Sequence, residues 1–200
     1  MKGLLDSDEA LEVLREGGVI GLPTDTVYGL AASLARRDAI DKLFTLKRRP
    51  TSLALPILAD SVASIEGLHV WWSERARALS DALWPGALTI VVPVPPELAA
   101  LVGSASDTAG FRVPNDKNLR ELLSQSGPLA VSSANDHGES PCRTAVEVMD
   151  AFGEHDEFGG VLDGGERGGD VSTVVALEDD TWRVLRLGAV STRELARFLD

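Results

Sequence analysis

The chain has 200 residues, 44% of them apolar, and a formal net charge of −12. No apolar run approaches the roughly 18–20 residues of a membrane span, and the acidic N-terminal stretch lacks the apolar core of a signal peptide. The lone cysteine, Cys142, excludes an intrachain disulfide framework and fits a reducing setting, so a cytoplasmic location is expected.

Residues 8–16 read as a short helix with Ala10, Leu11 and Leu14 on one side, ended by Gly17-Gly18. Residues 19–23 are an apolar run that reads as a buried strand. It leads into Pro23-Thr24-Asp25-Thr26-Val27-Tyr28-Gly29-Leu30. Two threonines, a carboxylate, a tyrosine and a glycine thus follow a strand end, where α/β folds build pockets. Residues 37–46 have apolar positions at helical spacing. Lys47-Arg48-Arg49-Pro50 follows in a turn-like context. Three adjacent cations repel, so this cluster is either a solvated patch or an anion clamp. Residues 53–59 are a strand candidate in which Pro56 suggests an edge or irregular position.

Residues 73–83 read as a helix with Ser73 as N-cap and Glu74 in its first turn. Trp84-Pro85-Gly86-Ala87-Leu88-Thr89 marks a helix-to-strand turn and reads as architectural, with Thr89 a strand residue rather than a ligand contact. Residues 88–94 are the clearest buried strand. Residues 109–113 form another, and Arg112 within it needs an anionic partner, either a protein carboxylate or a ligand. A helix over 118–124 leads to a strand over 129–132. That strand ends in Ser132-Ser133-Ala134-Asn135, which either caps the next turn or bonds a ligand. Residues 145–152 and 192–199 read as helices, and 173–176 and 183–187 as strands. The Gly-, Asp- and Glu-rich residues 153–169 read as a surface excursion or a flap.

Strands and helices mix throughout, with no long linker and no repeat. The expected fold is a single mixed α/β (α+β) domain over residues 1–200, three layers around a twisted mixed β-sheet flanked by helices. Charge is uneven along it. Residues 20–60 hold six Lys/Arg against four Asp/Glu, whereas residues 146–200 hold thirteen acidic side chains against five Arg. A locally basic pocket in an acidic chain suits a small anionic ligand and argues against non-specific binding to a nucleic-acid backbone. No phosphate-binding Gly-rich loop, hydrolase elbow or metal-ligand spacing of histidines occurs. Catalysis by positioning and charge neutralisation fits better than a covalent nucleophile.

In their order, seven of these motifs resemble the YrdC family, the threonylcarbamoyl-adenylate synthases, over about residues 19–191. They are the octapeptide Pro23 to Leu30, Lys47-x-Arg49-Pro50, Trp84-Pro85-Gly86-x-Leu88-Thr89, Arg112-x-Pro114, Ser132-Ser133-Ala134-Asn135, Ser172-Thr173-Val174 and Leu185-Arg186-x-Gly188. The resemblance implies a YrdC-like fold with a concave basic cavity. It implies a nucleotidyltransferase that makes threonylcarbamoyl-AMP and pyrophosphate from L-threonine, bicarbonate and ATP, for tRNA threonylcarbamoyladenosine modification. Carried onto this sequence, it puts Lys47 and Arg49 on the phosphates as catalytic groups and Arg186 on the nucleotide. Arg112 takes the threonine carboxylate or the carbamate. Thr24, Thr26 and Tyr28 form the threonine pocket, which Ser172 closes. Thr108, Ser132, Ser133 and Asn135 line the join between amino acid and nucleotide. Mg2+ is expected with ATP, held mainly by the phosphates and water. The product would pass to a tRNA threonylcarbamoyl transferase complex.

Asp116 departs from the family, many members of which carry a histidine there. An acid at that point weakens the expected positive potential, with Lys117 near enough in sequence to offset it. Pro141-Cys142-Arg143-Thr144 matches short bacterial members, and no extra C-terminal domain is expected after Arg186. Two other readings stand beside the synthase: a YciO-type paralogue, and an RNA-binding or ribosome-maturation module with the same fold, for which weak RNA binding would suffice.

Overall fold

The computed structural model describes residues 2–48, 54–135, 139–177 and 181–199. In chain order the elements are β1 (Leu4–Leu5), α1 (Ser7–Arg15), β2 (Val19–Pro23), β3 (Tyr28–Ser33), α2 (Arg37–Leu46), β4 (Ile57–Leu58), α3 (Val62–Glu66), α4 (Glu74–Leu83) and β5 (Leu88–Pro93). They continue with α5 (Pro96–Leu101), β6 (Thr108–Arg112), α6 (Lys117–Ser126), β7 (Leu129–Ser133), α7 (Ala145–Phe152), β8 (Phe158–Leu162), β9 (Thr173–Leu177), β10 (Trp182–Arg186) and α8 (Thr192–Leu199).

Local chemistry sets the helix starts. Asp6 accepts the Glu9 N–H at 2.9 Å while the Glu9 carboxylate accepts the Asp6 N–H at 2.9 Å, a reciprocal cap for α1. Ser73 caps α4 as expected, accepting from the Ala76 N–H at 3.2 Å. Asp116 caps α6 through the Leu119 N–H at 3.0 Å.

All ten strands join one mixed sheet in the order β1-β8-β2-β3-β7-β4-β6-β5-β9-β10. Strand alternation divides its side chains between two cores. Val19 and Leu30 belong to the larger, which takes in α2, α4, α7 and α8. Ile20 and Leu22 belong to the smaller, under α1 and α6. Helices therefore cover both faces, as the mixed pattern of elements implied.

Three expectations change. The octapeptide does not simply follow a strand end. It makes a turn and returns as β3, which pairs antiparallel with β2 from Pro23↔Tyr28 to Ile20↔Ala31. Every residue of β3 is buried, so it lacks the alternation that would have marked it. Residues 153–169 are not one excursion, because Phe158–Leu162 forms β8 between β1 and β2. Its Gly159-Gly160 pair hides the strand from propensity reasoning. Finally, of the edge or irregular position expected for Pro56 the second holds: it sits just before β4, which is not an edge strand. It lies between β7 and β6, and its two-residue length spares Pro56 from having to donate in the ladder.

Candidate active site

The hairpin turn, the ends of β6 and β7, and the entry to β9 converge on one cleft of about 120 Å³. Thr24, Thr26, Tyr28, Arg112, Ser132, Ser133, Ser172 and Arg186 all line it, so eight of the twelve expected site residues meet there. Val27, Pro56, Leu58, Val131 and Val171 supply its apolar wall.

Thr24 builds the turn. Its hydroxyl donates to the Val27 carbonyl at 2.7 Å and accepts from the Thr26 and Val27 N–H groups at 3.1 and 3.2 Å. With that proton committed, the 2.9 Å contact between the two threonine hydroxyls must be donated by Thr26. Thr24 is thereby saturated, and Thr26, which also accepts from Arg112 at 3.3 Å, keeps one lone pair and no proton for a ligand. Tyr28 is fully buried, and its hydroxyl holds the chain after β8: it donates to the Gly165 carbonyl at 3.0 Å and accepts from the Gly164 N–H at 3.0 Å. Gly169 N–H donates to the Thr26 carbonyl at 3.1 Å, so residues 164–169 are pinned over the turn rather than free.

Burial pushes the Tyr28 phenol above its usual value, with the Gly164 N–H opposing and the Asp163 carboxylate adding to the shift. A phenol harder to ionise in the folded chain than in the unfolded one stabilises the fold below about pH 10, and that contribution is lost as pH rises through its folded value. Tyr28 is the chain's one tyrosine. Its tyrosinate absorbance should therefore rise above pH 10, later than in the urea-unfolded chain, and Tyr28→Phe should flatten the alkaline fall in stability. Ionisation at the same pH in both states would refute this.

Arg112 closes the opposite side. Its side chain is 7% exposed and pairs at 2.6 Å with Asp25, itself 12% exposed. It also donates to the Gly86 carbonyl at 2.9 Å and to the Thr26 hydroxyl at 3.3 Å. Both readings of a buried strand arginine meet here: a protein carboxylate balances it, and among the described residues two of its five N–H donors are left for a ligand. Asp25 had no role in the sequence reading, although a carboxylate in the most polar motif was the natural partner for a buried arginine. The Trp-Pro-Gly turn does more than shape the chain, since its Gly86 carbonyl orients the guanidinium.

Arg186 lies on the edge strand β10, and its Nε and Nη2 donate to the Ser172 carbonyl at 3.1 and 2.9 Å. Nη2 also donates to the Ser172 hydroxyl at 2.9 Å. Arg186 is an exposed residue, and partial desolvation of its guanidinium, with the facing Arg112 second, lowers its pKa from the usual arginine value. Two guanidinium groups that repel across a cleft are a place for an anion.

Lys47 follows α2 and is 4% exposed. Its ammonium donates to the Ser133 carbonyl at 2.8 Å, the Asn135 side-chain oxygen at 2.9 Å and the Asn135 carbonyl. The Ser133 hydroxyl donates to the same Asn135 side-chain oxygen at 2.6 Å. Lys47, Ser133 and Asn135 therefore form one cluster, joined to the cleft through Ser133. A solvated patch is excluded for Lys47, while Arg49 lies outside the described residues. Thr108 does not line the cleft. It shares a face of β6 with Arg112, and a strand rise of about 3.3 Å per residue puts their Cα atoms roughly 13 Å apart.

Asp116 does not sit unbalanced. Beyond capping α6, it pairs at 3.2 Å with Arg167, not with Lys117. Thr89, read from sequence as a plain strand residue, is buried in the cleft wall with its hydroxyl 3.0 Å from that of Ser172. Periodicity could not find it, because an inward threonine at the start of a strand looks like any β-branched core residue.

Among the described residues no helix is long and apolar enough to cross a membrane. The Sua5/YciO/YrdC family model, described as "Telomere recombination", matches residues 12–188. A Mycobacterium leprae protein is 40% identical over 192 residues, covering 95% of this chain and 86% of its own. The threonylcarbamoyl-AMP synthase of Bacillus subtilis is 34% identical over 191 residues, covering 94% of this chain, which spans 54% of that longer protein. Among solved structures, Pyrococcus abyssi Sua5 complexed with L-threonine superposes with a TM-score of 0.87 at 30% identity, over 99% of this chain and 60% of that one. Escherichia coli YciO shares the fold at a TM-score of 0.82 and 23% identity, over 97% of each chain. On the matched span and these identities, the chain belongs to the Sua5/YciO/YrdC family.

Proposed function

We propose that this chain is a threonylcarbamoyl-AMP synthase, a nucleotidyltransferase acting on L-threonine, bicarbonate and ATP. The observation that carries the reading is the meeting of eight family-matched side chains in one cleft, with Lys47 fixed beside it on Ser133 and Asn135. The relatives' names and the threonine-bound neighbour support it.

The amine of threonine joins bicarbonate with loss of water to give a carbamate. A carbamate oxygen then bonds to the α-phosphorus of ATP as the bond to the bridging oxygen breaks, and pyrophosphate leaves. Two anions must meet, so the site has to supply positive charge before bonds change. In this reading the wall of Thr24 and Thr26 takes the amine side of threonine, through the lone pair left on Thr26, with Tyr28 fixing the segment beside it. Arg112 holds the carboxylate or carbamate, and Ser132 and Ser172 bound the pocket. Arg186, Lys47 and Arg49 hold the nucleotide, with Ser133 and Asn135 keeping Lys47 in place. Thr108 lies far enough along β6 to serve the nucleotide end of a bound adduct. The cleft with these cations would form the concave basic cavity of the family.

Among the described residues no three His, Cys, Asp or Glu side chains are gathered to hold a metal ion. Magnesium would arrive on the ATP phosphates, whose charge it offsets. The product would serve tRNA threonylcarbamoyladenosine formation through a transferase complex. Incubation with ATP, magnesium and bicarbonate should release pyrophosphate only when L-threonine is added. Threonine-independent release, or none, would sink the assignment.

A further inference from the structure

Thr89 and Ser172 carry one more hydroxyl proton than their mutual hydrogen bond uses. The two hydroxyls are 3.0 Å apart and both residues are buried. Arg186 Nη2 already donates to the Ser172 oxygen at 2.9 Å. Two hydroxyl protons are present, and one is used between the pair. Among the described residues the other has no acceptor, and both side chains line the cleft. The pair therefore offers a single donor to a ligand oxygen, opposite a threonine wall whose hydroxyl protons are both already committed. A ligand oxygen that accepts this proton polarises the hydroxyls in line, which strengthens the bond from the Arg186 guanidinium. Among the described residues Arg186 directs its side-chain hydrogen bonds to Ser172 alone, two to the carbonyl and one to the hydroxyl, so its direction depends on that one residue.

We propose that Thr89 is a positioning residue that couples the amino-acid pocket to Arg186 through the Ser172 hydroxyl, so that threonine and nucleotide tighten each other's binding. This rests on the synthase reading. Threonine places a carboxylate or carbamate oxygen against the Thr89–Ser172 pair. The ordered Ser172 then presents Arg186 to the nucleotide, and no contact between Thr89 and the nucleotide is needed. Removing the Thr89 hydroxyl breaks the relay if Ser172 donates to Thr89, and otherwise leaves the Ser172 proton without the neighbour that directs it to the ligand while the Ser172 oxygen still accepts from Arg186.

The test is calorimetric titration of a non-hydrolysable ATP analogue with and without saturating L-threonine. In the wild-type chain threonine should tighten analogue binding at least fivefold, the lower end of ordinary coupling between sites. Thr89→Val, which keeps the shape and deletes the hydroxyl, should bring that factor to near one, and Thr89→Ser should restore it. Thr89 is buried, so a second measurement stands apart from its folding: by reciprocity the analogue should tighten threonine binding in the wild type, and Arg186→Gln should abolish that effect. Thr89→Val with the enhancement intact, or Arg186→Gln with the reciprocal effect intact, would overturn the coupling. Binding of both ligands by the wild type without mutual enhancement would overturn it while leaving the synthase reading in place. Binding of neither would end both.

Discussion

Arg112→Ala is expected to reduce threonine-dependent pyrophosphate release by on the order of a hundred- to a thousandfold, the scale of losing a preorganised charge-stabilising donor. It should also lower stability by about 3–5 kcal/mol, because it strands the Asp25 carboxylate at a buried position without its partner. For a chain of this size that corresponds to a fall of roughly 10 °C in melting temperature. The two effects have separate causes and can be separated. In the double variant Asp25→Asn/Arg112→Ala no buried charge is orphaned, so thermal stability should recover in large part while activity stays lost. Arg112→Lys keeps the charge but not the fork that reaches Asp25, Thr26 and Gly86 together, so it should sit nearer the wild type in melting temperature than in rate. Arg112→Ala with pyrophosphate release within a few fold of the wild type would show that the substrate anion is held elsewhere.

The outline of this site was legible in sequence because its chemistry is written as local clusters. Strand-end hydroxyls at Ser132 and Ser133, a lysine after a helix at Lys47, and an arginine in an apolar strand at Arg112 are each odd enough to notice. What joins them is not local. Asp25 meets Arg112 across 87 positions, Thr89 meets Ser172 across 83, and Lys47 meets Ser133 across 86. Sheet order sets β9 beside β5 and so joins Thr89 to Ser172, while the turn between β2 and β3 and the end of α2 carry Asp25 and Lys47 to their partners on β6 and β7. The fold shows the same division. Helices such as α1 and α4 declare themselves by period, cap or stop signal, whereas β3 and β8 escape notice. Full burial erases alternation in the first, and paired glycines suppress strand propensity in the second. Asp116 makes the point for charge. Its sequence neighbour Lys117 is the obvious counter-ion, but the helix cap turns Asp116 toward Arg167, which arrives from 51 positions away.

Gly188→Ala is expected to weaken nucleotide binding at least tenfold and to lower stability by about 1–3 kcal/mol, the range for overpacking a tight contact. A Cβ at Gly188 would lie 2.1 Å from the Val171 carbonyl oxygen and 2.7 Å from the Ser172 carbonyl carbon. Both obstacles are backbone, so no side chain can swing aside to admit a methyl group. The chain after β10 must then move away from the entry to β9. That movement opposes the bonds that tie the two segments, from Gly188 N–H to the Thr173 hydroxyl at 2.9 Å and from Ala189 N–H to the Val171 carbonyl at 3.0 Å. It also carries Arg186 off Ser172, the residue on which its guanidinium is aimed. The glycine two positions after Arg186 thus acts on the nucleotide through geometry, with no side chain of its own. Calorimetric binding of the ATP analogue, read beside the melting temperature, checks this. Arg186→Gln in the Gly188→Ala background should add little further loss of affinity, because the arginine is already displaced. Fully additive losses would mean that Gly188 serves the fold and not the placement of Arg186.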